Sequence, residues 1–181
     1  MEKTIAFKDI LTVFANYGFQ KASMDDLARA ASVSRQTLYN RFKTKQAVLD
    51  WAVSGFVEER TQRAIAYLKL SDQSVGKRIL LFYHEWMGQL APLLHNTPHG
   101  WETMDISLES MQRIGMDTHV DYERAVAEFL VENGVFADLA QASEMSFLLT
   151  MAAKGMLYKF NTVDDFEAGM ERVIRMALPS S

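Results

Sequence analysis

Apolar residues recur at three- and four-residue spacings along almost the whole chain, and alternating β-branched runs are nearly absent. That period belongs to helices, whose 3.6-residue turn gathers such positions on one face. Only three prolines interrupt it, Pro92, Pro98 and Pro179. The expected fold class is therefore all-α. With 181 residues, just under half of them apolar, the chain can bury a sizeable core. It has no cysteine, which closes off disulfides and thiol chemistry.

Breaks in the pattern divide it into about nine helices. The first covers about residues 3–17, with Ile5, Ile10, Leu11, Val13, Phe14 and Tyr17 as its stripe and Gly18 as a left-handed terminator. In "SMDD", Ser23 takes the N-cap and Asp26 follows three residues on, a capping box at the head of a short helix over Met24–Ala31. "SVS" is a break. Ser34 then caps a third helix over Arg35–Phe42, and Thr44 caps a fourth running from Lys45 toward Leu70. Longer helices follow over about 74–95, 100–115, 117–132, 138–160 and 164–177.

Charge is unevenly placed. Residues 1–50 carry eight Lys/Arg and five acids, a net +3, against −4 for the whole chain, so the remainder carries −7. No acid occurs between Asp26 and Asp50, a window holding Arg29, Arg35, Arg41, Lys43 and Lys45. A basic head on an acidic body points to a polyanion met by the head alone.

Two short helices joined by a tight turn and preceded by a third make a helix-turn-helix. At about 100° per residue, Leu38 and Phe42 of the third helix fall on one side, and Val33 of the turn can fill the same cavity. The opposite side presents Gln36 and Asn40, flanked by Thr37 and Lys43, with Arg35 at the helix start and Tyr39 and Arg41 on the edges. This set suits a duplex. Gln and Asn can contact adenine with two hydrogen bonds, Arg guanine, and Thr the thymine methyl. Lys43, Lys45 and the Tyr39 hydroxyl suit phosphates, which fix register and supply salt-dependent affinity.

"GFQKASMDDLARAASVSRQTLYNRFKTKQAVL" resembles the DNA-binding domain of the TetR family of transcriptional regulators. The family pattern is met at Gly18-Phe19, Ser23, Leu27-Ala28, "SVS", Leu38-Tyr39, Phe42, Thr44 and Lys45. Three positions depart from it. Ser32 stands where Gly is common, Gln46 where an acid is common, and Arg41 where an aromatic or His is common. If the turn needs positive φ at Ser32, serine adds strain there. The resemblance implies that Ser23, Arg35, Gln36, Thr37, Tyr39, Asn40, Arg41 and Lys45 touch DNA. It also implies a division into a DNA-binding domain over 1–46 and a helical ligand-binding and dimerisation domain over 47–181.

The expected partners follow. They are a palindromic double-stranded operator, an unidentified small-molecule effector, and a second copy of the chain docked through the last two helices. Met and aromatic side chains can line an adaptable apolar pocket, and Phe82, Tyr83, Trp86, Met87, Met104, Met111 and Met151 are its candidates. Phe82, Trp86 and Leu90 share one line of the helix expected over 74–95. His84, Glu85, Glu102, Asp105 and Glu109 are candidates for orienting a ligand. The last two helices combine small residues, Ala152, Ala153 and Gly155, with bulky Phe147, Leu148, Met151 and Leu157. The function expected is a sequence-specific regulator, a repressor released by its effector. The alternative is a helical DNA-binding or protein-interaction module without a small-molecule switch.

Enzymatic readings find little support. There is no Glu-x-x-His pair for a di-metal bundle, no Gly-rich phosphate loop and no Gly-x-Ser-x-Gly. His95 and His99 have a helical metal-ligand spacing, but Pro98 between them marks a loop. No cofactor, metal or catalytic residue is expected. The N-terminus lacks the basic start and unbroken apolar run of a secretory signal, and no stretch approaches the roughly 20 apolar residues that span a bilayer. A cytoplasmic protein is expected.

Overall fold

A computed structural model of the protein describes residues 7–116 and 119–178. The described residues form α1 (Phe7–Lys21), α2 (Met24–Ala30), α3 (Arg35–Phe42), α4 (Lys45–Leu68), α5 (Val75–Trp86), α6 (Ala91–His95), α7 (Gly100–Arg113), α8 (His119–Glu132), α9 (Leu139–Lys159) and α10 (Val163–Ala177). A 3-10 turn, Gly88–Leu90, links α5 to α6, and there is no strand among the described residues. The all-α expectation holds, and all nine expected helices are present, the fifth divided. Residues 3–6 of the expected first helix and 117–118 of the seventh lie outside the described residues.

Two expectations need correction. Gly18 ends the first regular helical segment as expected, but at φ +75° and ψ 155° instead of in the left-handed helical region, and a further helical turn runs on to Lys21. Only glycine reaches that backbone region readily. A Cβ there would sit 3.0–3.3 Å from ring atoms of His99, so a side chain would also crowd that ring. The expected helix over 74–95 is also not continuous. Pro92 lacks an N–H, and its ring would collide with the Gly88 carbonyl in an unbroken helix. The chain therefore leaves α5 at Trp86, tightens through Gly88–Leu90 and restarts. Leu90 thereby leaves the line shared by Phe82 and Trp86. Gly88 faces the Phe166 ring of α10, 2.8 Å from where its Cβ would lie.

The chain forms two compact units, Met1–Glu59 with Leu93–Met116, and Arg60–Pro92 with Asp117–Ser181. In the first, α1 packs on α2 and α7, and α2 packs on α3. Ile10, Leu11, Phe14, Leu27, Leu38, Val48 and Leu49 are buried together, each removal from water contributing about 1.5–3 kcal/mol. Phe42 packs its ring 4.7 Å from that of Trp51 on α4. Val33 in the turn is half-buried, and its N–H donates to the Ala28 carbonyl at 3.0 Å.

In the second unit, α8 packs on α9, and α10 packs on α5 and α9. Phe82 and Trp86 of α5 meet Tyr122 of α8, with 4.4 Å between the Trp86 and Tyr122 rings, and the Tyr83 ring packs against those of Phe82 and Trp86. The Tyr83 hydroxyl lies 3.1 Å from Thr150 Oγ1, and burial pushes its phenol above the ordinary range. Arg60 is also buried. Desolvation lowers its guanidinium to about 10, and it donates to the Glu85 carbonyl. Glu85 takes Arg63 Nε at 2.9 Å, and His84 pairs with Glu167 of α10. No helix among the described residues is long and apolar enough to cross a membrane.

Candidate nucleic-acid interface

The expected caps are all made. Ser23 Oγ accepts the Asp26 N–H, and the Asp26 carboxylate accepts the Ser23 N–H at 3.1 Å, closing the capping box of α2. These Ser23 hydrogen bonds, its hydroxyl foremost, hold the Asp26 carboxyl below its usual value. Ser34 Oγ accepts the Thr37 N–H at 3.0 Å and starts α3, and Thr44 Oγ1 accepts the Ala47 N–H at 3.1 Å and starts α4. Caps of this type are each worth about 1 kcal/mol. They fix where α3 begins and therefore which side chains face outward. The turn between α2 and α3 puts Ser32 at φ +56°, the region that explains glycine at this position in the resembling pattern. Lys43 also has positive φ, +60°, which no sequence feature anticipates.

On α3, Leu38 points inward and is buried, while Arg35, Gln36, Thr37, Tyr39, Asn40 and Arg41 are exposed. Gln36 Nε2 donates to Asn40 Oδ1 at 2.8 Å, one turn apart on the outer face. Thr37 Oγ1 lies 2.8 Å from Ser34 Oγ. Arg35 Nη1 reaches Asp25 of α2 at 3.1 Å, and both groups are largely solvated. An ion pair of that kind is weak and readily exchanged for another anion.

The remaining cations are held differently. Lys43 lies over the exposed Tyr39 ring at 5.5 Å. Arg41 stacks near both Phe42 and Trp51, 5.1 and 5.0 Å from their centroids. Lys45 is half-buried. Its ammonium donates to the carbonyls of Gln20 and Ala22 at 3.0 and 2.9 Å and lies 4.8 Å above the Phe19 ring. Ser23, Arg35, Gln36, Thr37, Tyr39, Asn40, Arg41 and Lys43 thus lie on the outside of one small assembly, α2–turn–α3. Lys45 braces that assembly against the end of α1.

The apolar pocket candidates divide. Phe82, Tyr83, Trp86 and Met87 are buried in the second unit. Met151 is exposed on α9, and Met104 and Met111 are half-buried on α7 in the first unit. Glu102, a candidate for orienting a ligand, instead accepts the Phe19 N–H at 3.2 Å and pairs with His99. His99, Ser110 and Arg113, which no motif connects with the head, also hold it. Their partners, Ala15 and Asp50, are 60 or more positions away in the chain, beyond the reach of local pattern.

A capped helix with an exposed polar outer face behind a tight turn defines a helix-turn-helix. Residues 9–51 match the family model for bacterial regulatory proteins of the tetR family. The whole chain shares its fold with solved transcriptional regulators. One from Rhodococcus sp. Rha1 is 16% identical, with a TM-score of 0.66 over 97% of this chain and 95% of that one. The TetR family transcriptional regulator PfmR from Thermus thermophilus is 16% identical, with a TM-score of 0.56 over 97% of each chain. A TetR transcriptional regulator from Streptomyces coelicolor is 17% identical, with a TM-score of 0.61 over 97% and 99%. No curated protein matches the chain in sequence. Residues 9–51 thus carry the sequence pattern of the tetR family, and the chain carries the fold of these solved regulators.

Proposed function

We propose that this protein reads a specific operator through α3 and represses transcription until a small molecule bound by the C-terminal helices releases it. The observation that carries the DNA reading is the outer face of α3. Gln36, Thr37 and Asn40 are exposed together on a helix whose start is fixed by Ser34, with no acid on the helix itself. Arg35 and the paired carboxamides would read base edges, and Lys43, Tyr39 and Ser23 would meet phosphates. Residues 1–46 form the DNA-binding part in this reading, and 47–181 the ligand-binding and dimerising part.

Dimerisation through α9 and α10 is supported by an exposed apolar face. Phe147, Met151 and Tyr158, four and seven residues apart, lie on one side of α9 with Leu148 beside them and are exposed, as is Met176 on α10. Gly155 on the same helix has open space where a Cβ would stand. Ala153 and Leu157 face the chain's own core, so they do not belong to that surface. A two-fold dimer would set two copies of α3 into successive major grooves, roughly 34–36 Å apart.

A specific observation favours the second reading, a DNA-binding protein without a small-molecule switch. Phe82, Tyr83, Trp86 and Tyr122 fill the centre of the second unit with their own rings. Titration of a small-molecule library against a protein–operator complex separates the two. A compound shifts operator affinity only through different affinities for the bound and free forms. A compound that binds the protein and releases DNA supports the first reading. Saturating binders that leave operator affinity unchanged support the second.

A further inference from the structure

We infer that α7 is a positioning strut for the DNA-reading head, holding α1 through His99 and Glu102 at one end and α4 through Ser110 and Arg113 at the other. The inference rests on the reading that the head binds DNA. It concerns residues far outside the segment 9–51 that carries the family's sequence pattern.

The first clamp is built into the backbone of α1. In an unbroken helix the Phe19 N–H would donate to the Ala15 carbonyl, four residues back. The break at Gly18 separates them, and α7 supplies a new partner to each. Glu102 Oε1 accepts the Phe19 N–H at 3.2 Å, and the His99 N–H donates to the Ala15 carbonyl at 2.9 Å. The second Glu102 oxygen meets His99 Nδ1 at 2.6 Å, and the His99 ring lies against Gly18. The His99 hydrogen bond, followed by that from Phe19, holds the Glu102 carboxyl below its usual value. The turn that follows the break, Phe19–Lys21, is the one whose end Lys45 grips through the Gln20 and Ala22 carbonyls.

The second clamp closes on Asp50, early in α4. Ser110 Oγ donates to its Oδ1 at 2.7 Å, and Arg113 donates to both oxygens, at 2.7 Å from Nη2 and 3.3 Å from Nε. Gln46 adds a fourth hydrogen bond at 3.1 Å. Desolvation pushes the Asp50 carboxyl up, but the bonds from Arg113, Ser110 and Gln46 outweigh it and hold the group low. Ser110 is fully buried, so its hydroxyl is committed to this contact. Charge-assisted and two-pronged bonds of this kind are the strong members of their class.

Glu102 and Arg113 are eleven residues apart on α7, about 16 Å at 1.5 Å per residue. One rigid helix thus holds the end of α1 and the start of α4, the two elements that flank α2–α3 in the chain. α3 projects from a frame whose two sides α7 fixes. Releasing a clamp removes no group from the DNA-facing surface. It gives the frame freedom that must be surrendered on binding, and affinity falls for that reason.

The test uses duplexes recovered by the wild-type protein from a randomised pool. Binding of the best duplex is measured over a range of salt for wild type, Ser110→Ala, Glu102→Ala and Glu102→Gln. Both alanine variants should stay folded by circular dichroism and lose about fivefold or more in affinity, the low end of coupling between distant sites. Their slope of log affinity against log salt should match the wild type, because no phosphate contact is lost. Glu102→Gln keeps an acceptor for the Phe19 N–H and should recover most of the loss. Wild-type affinity in both alanine variants overturns the inference, and so does a loss accompanied by a shallower slope, which would place these side chains on phosphates. A loss in Glu102→Gln as large as in Glu102→Ala overturns the first clamp. A wild-type protein that retains no duplex defeats the DNA-binding reading itself, a different failure from alanine variants that bind as tightly as a functioning wild type.

Discussion

Gln36 and Asn40 are hydrogen-bonded to each other on the exposed face of α3, the Gln36 amide donating to the Asn40 oxygen at 2.8 Å. In the free protein the two proposed base readers therefore hold one another in place. Each keeps unused donor and acceptor capacity, since a carboxamide offers two N–H groups and two lone pairs.

They should consequently behave as a unit. Gln36→Ala and Asn40→Ala should each cost about 1–3 kcal/mol in specific binding and relax base choice at neighbouring positions. The double variant should lose clearly less than the sum, because either single change also frees the partner. Binding measured on a panel of single-base operator variants checks this. Additive losses with no change in base preference would remove the pair as readers.

Gly18→Ala should destabilise the protein by about 1–3 kcal/mol, the scale of a glycine-only backbone conformation imposed on another residue. The strain adds to a clash with the His99 ring, 3.0 Å from the new Cβ. Urea denaturation of the two proteins measures the difference, and equal midpoints would contradict the tight approach of α7 to the break.

The caps, α2 and α3 were legible because their causes are local. Ser23, Ser34 and Thr44 bond N–H groups three residues on, so sequence spacing alone predicts them. Positive φ at Ser32 was legible for a related reason, a serine standing at a glycine's position. Gly18 was half legible. Its backbone is unusual as expected, but whether the helix stops there depends on Glu102 and His99, over 80 residues away. The division of α5 from α6 was available in Pro92 and was overridden by the apolar spacing on either side. The roles of Ser110, Arg113 and Asp50 had no local signal, because a lone polar residue on an amphipathic helix looks the same solvated or clamped.

Acid should loosen the first unit. Asp26, Asp50 and Glu102 all have carboxyls held below their usual values in the folded protein. Such groups stabilise the fold fully above the ordinary carboxylate range, and the contribution is lost as pH falls through the lowered values. Thermal midpoints should therefore decline from about pH 4 downward, where unfolded carboxyls begin to bind protons. Asp50→Asn should lower the midpoint at neutral pH and flatten part of that decline. An identical pH profile for the variant would show that Asp50 is not one of the groups responsible.

A charge on the open face of α9 should prevent self-association. Leu148 is 58% exposed in the single chain, and burying a glutamate there against a second copy leaves it without a partner. Sedimentation should show a dimer for the wild type and a monomer for Leu148→Glu, with helical content preserved. A Leu148→Glu protein that remains dimeric would move the interface elsewhere.

The most direct measurement is the affinity of the wild-type protein for its selected duplex as a function of salt. In the proposed complex Lys43 and its basic neighbours would neutralise phosphates and release counterions, so log affinity should fall steeply and linearly with log salt. The selected duplex should contain two half-sites about one helical turn apart. Binding indifferent to salt, or no preference for any duplex at low salt, would contradict recognition by α3.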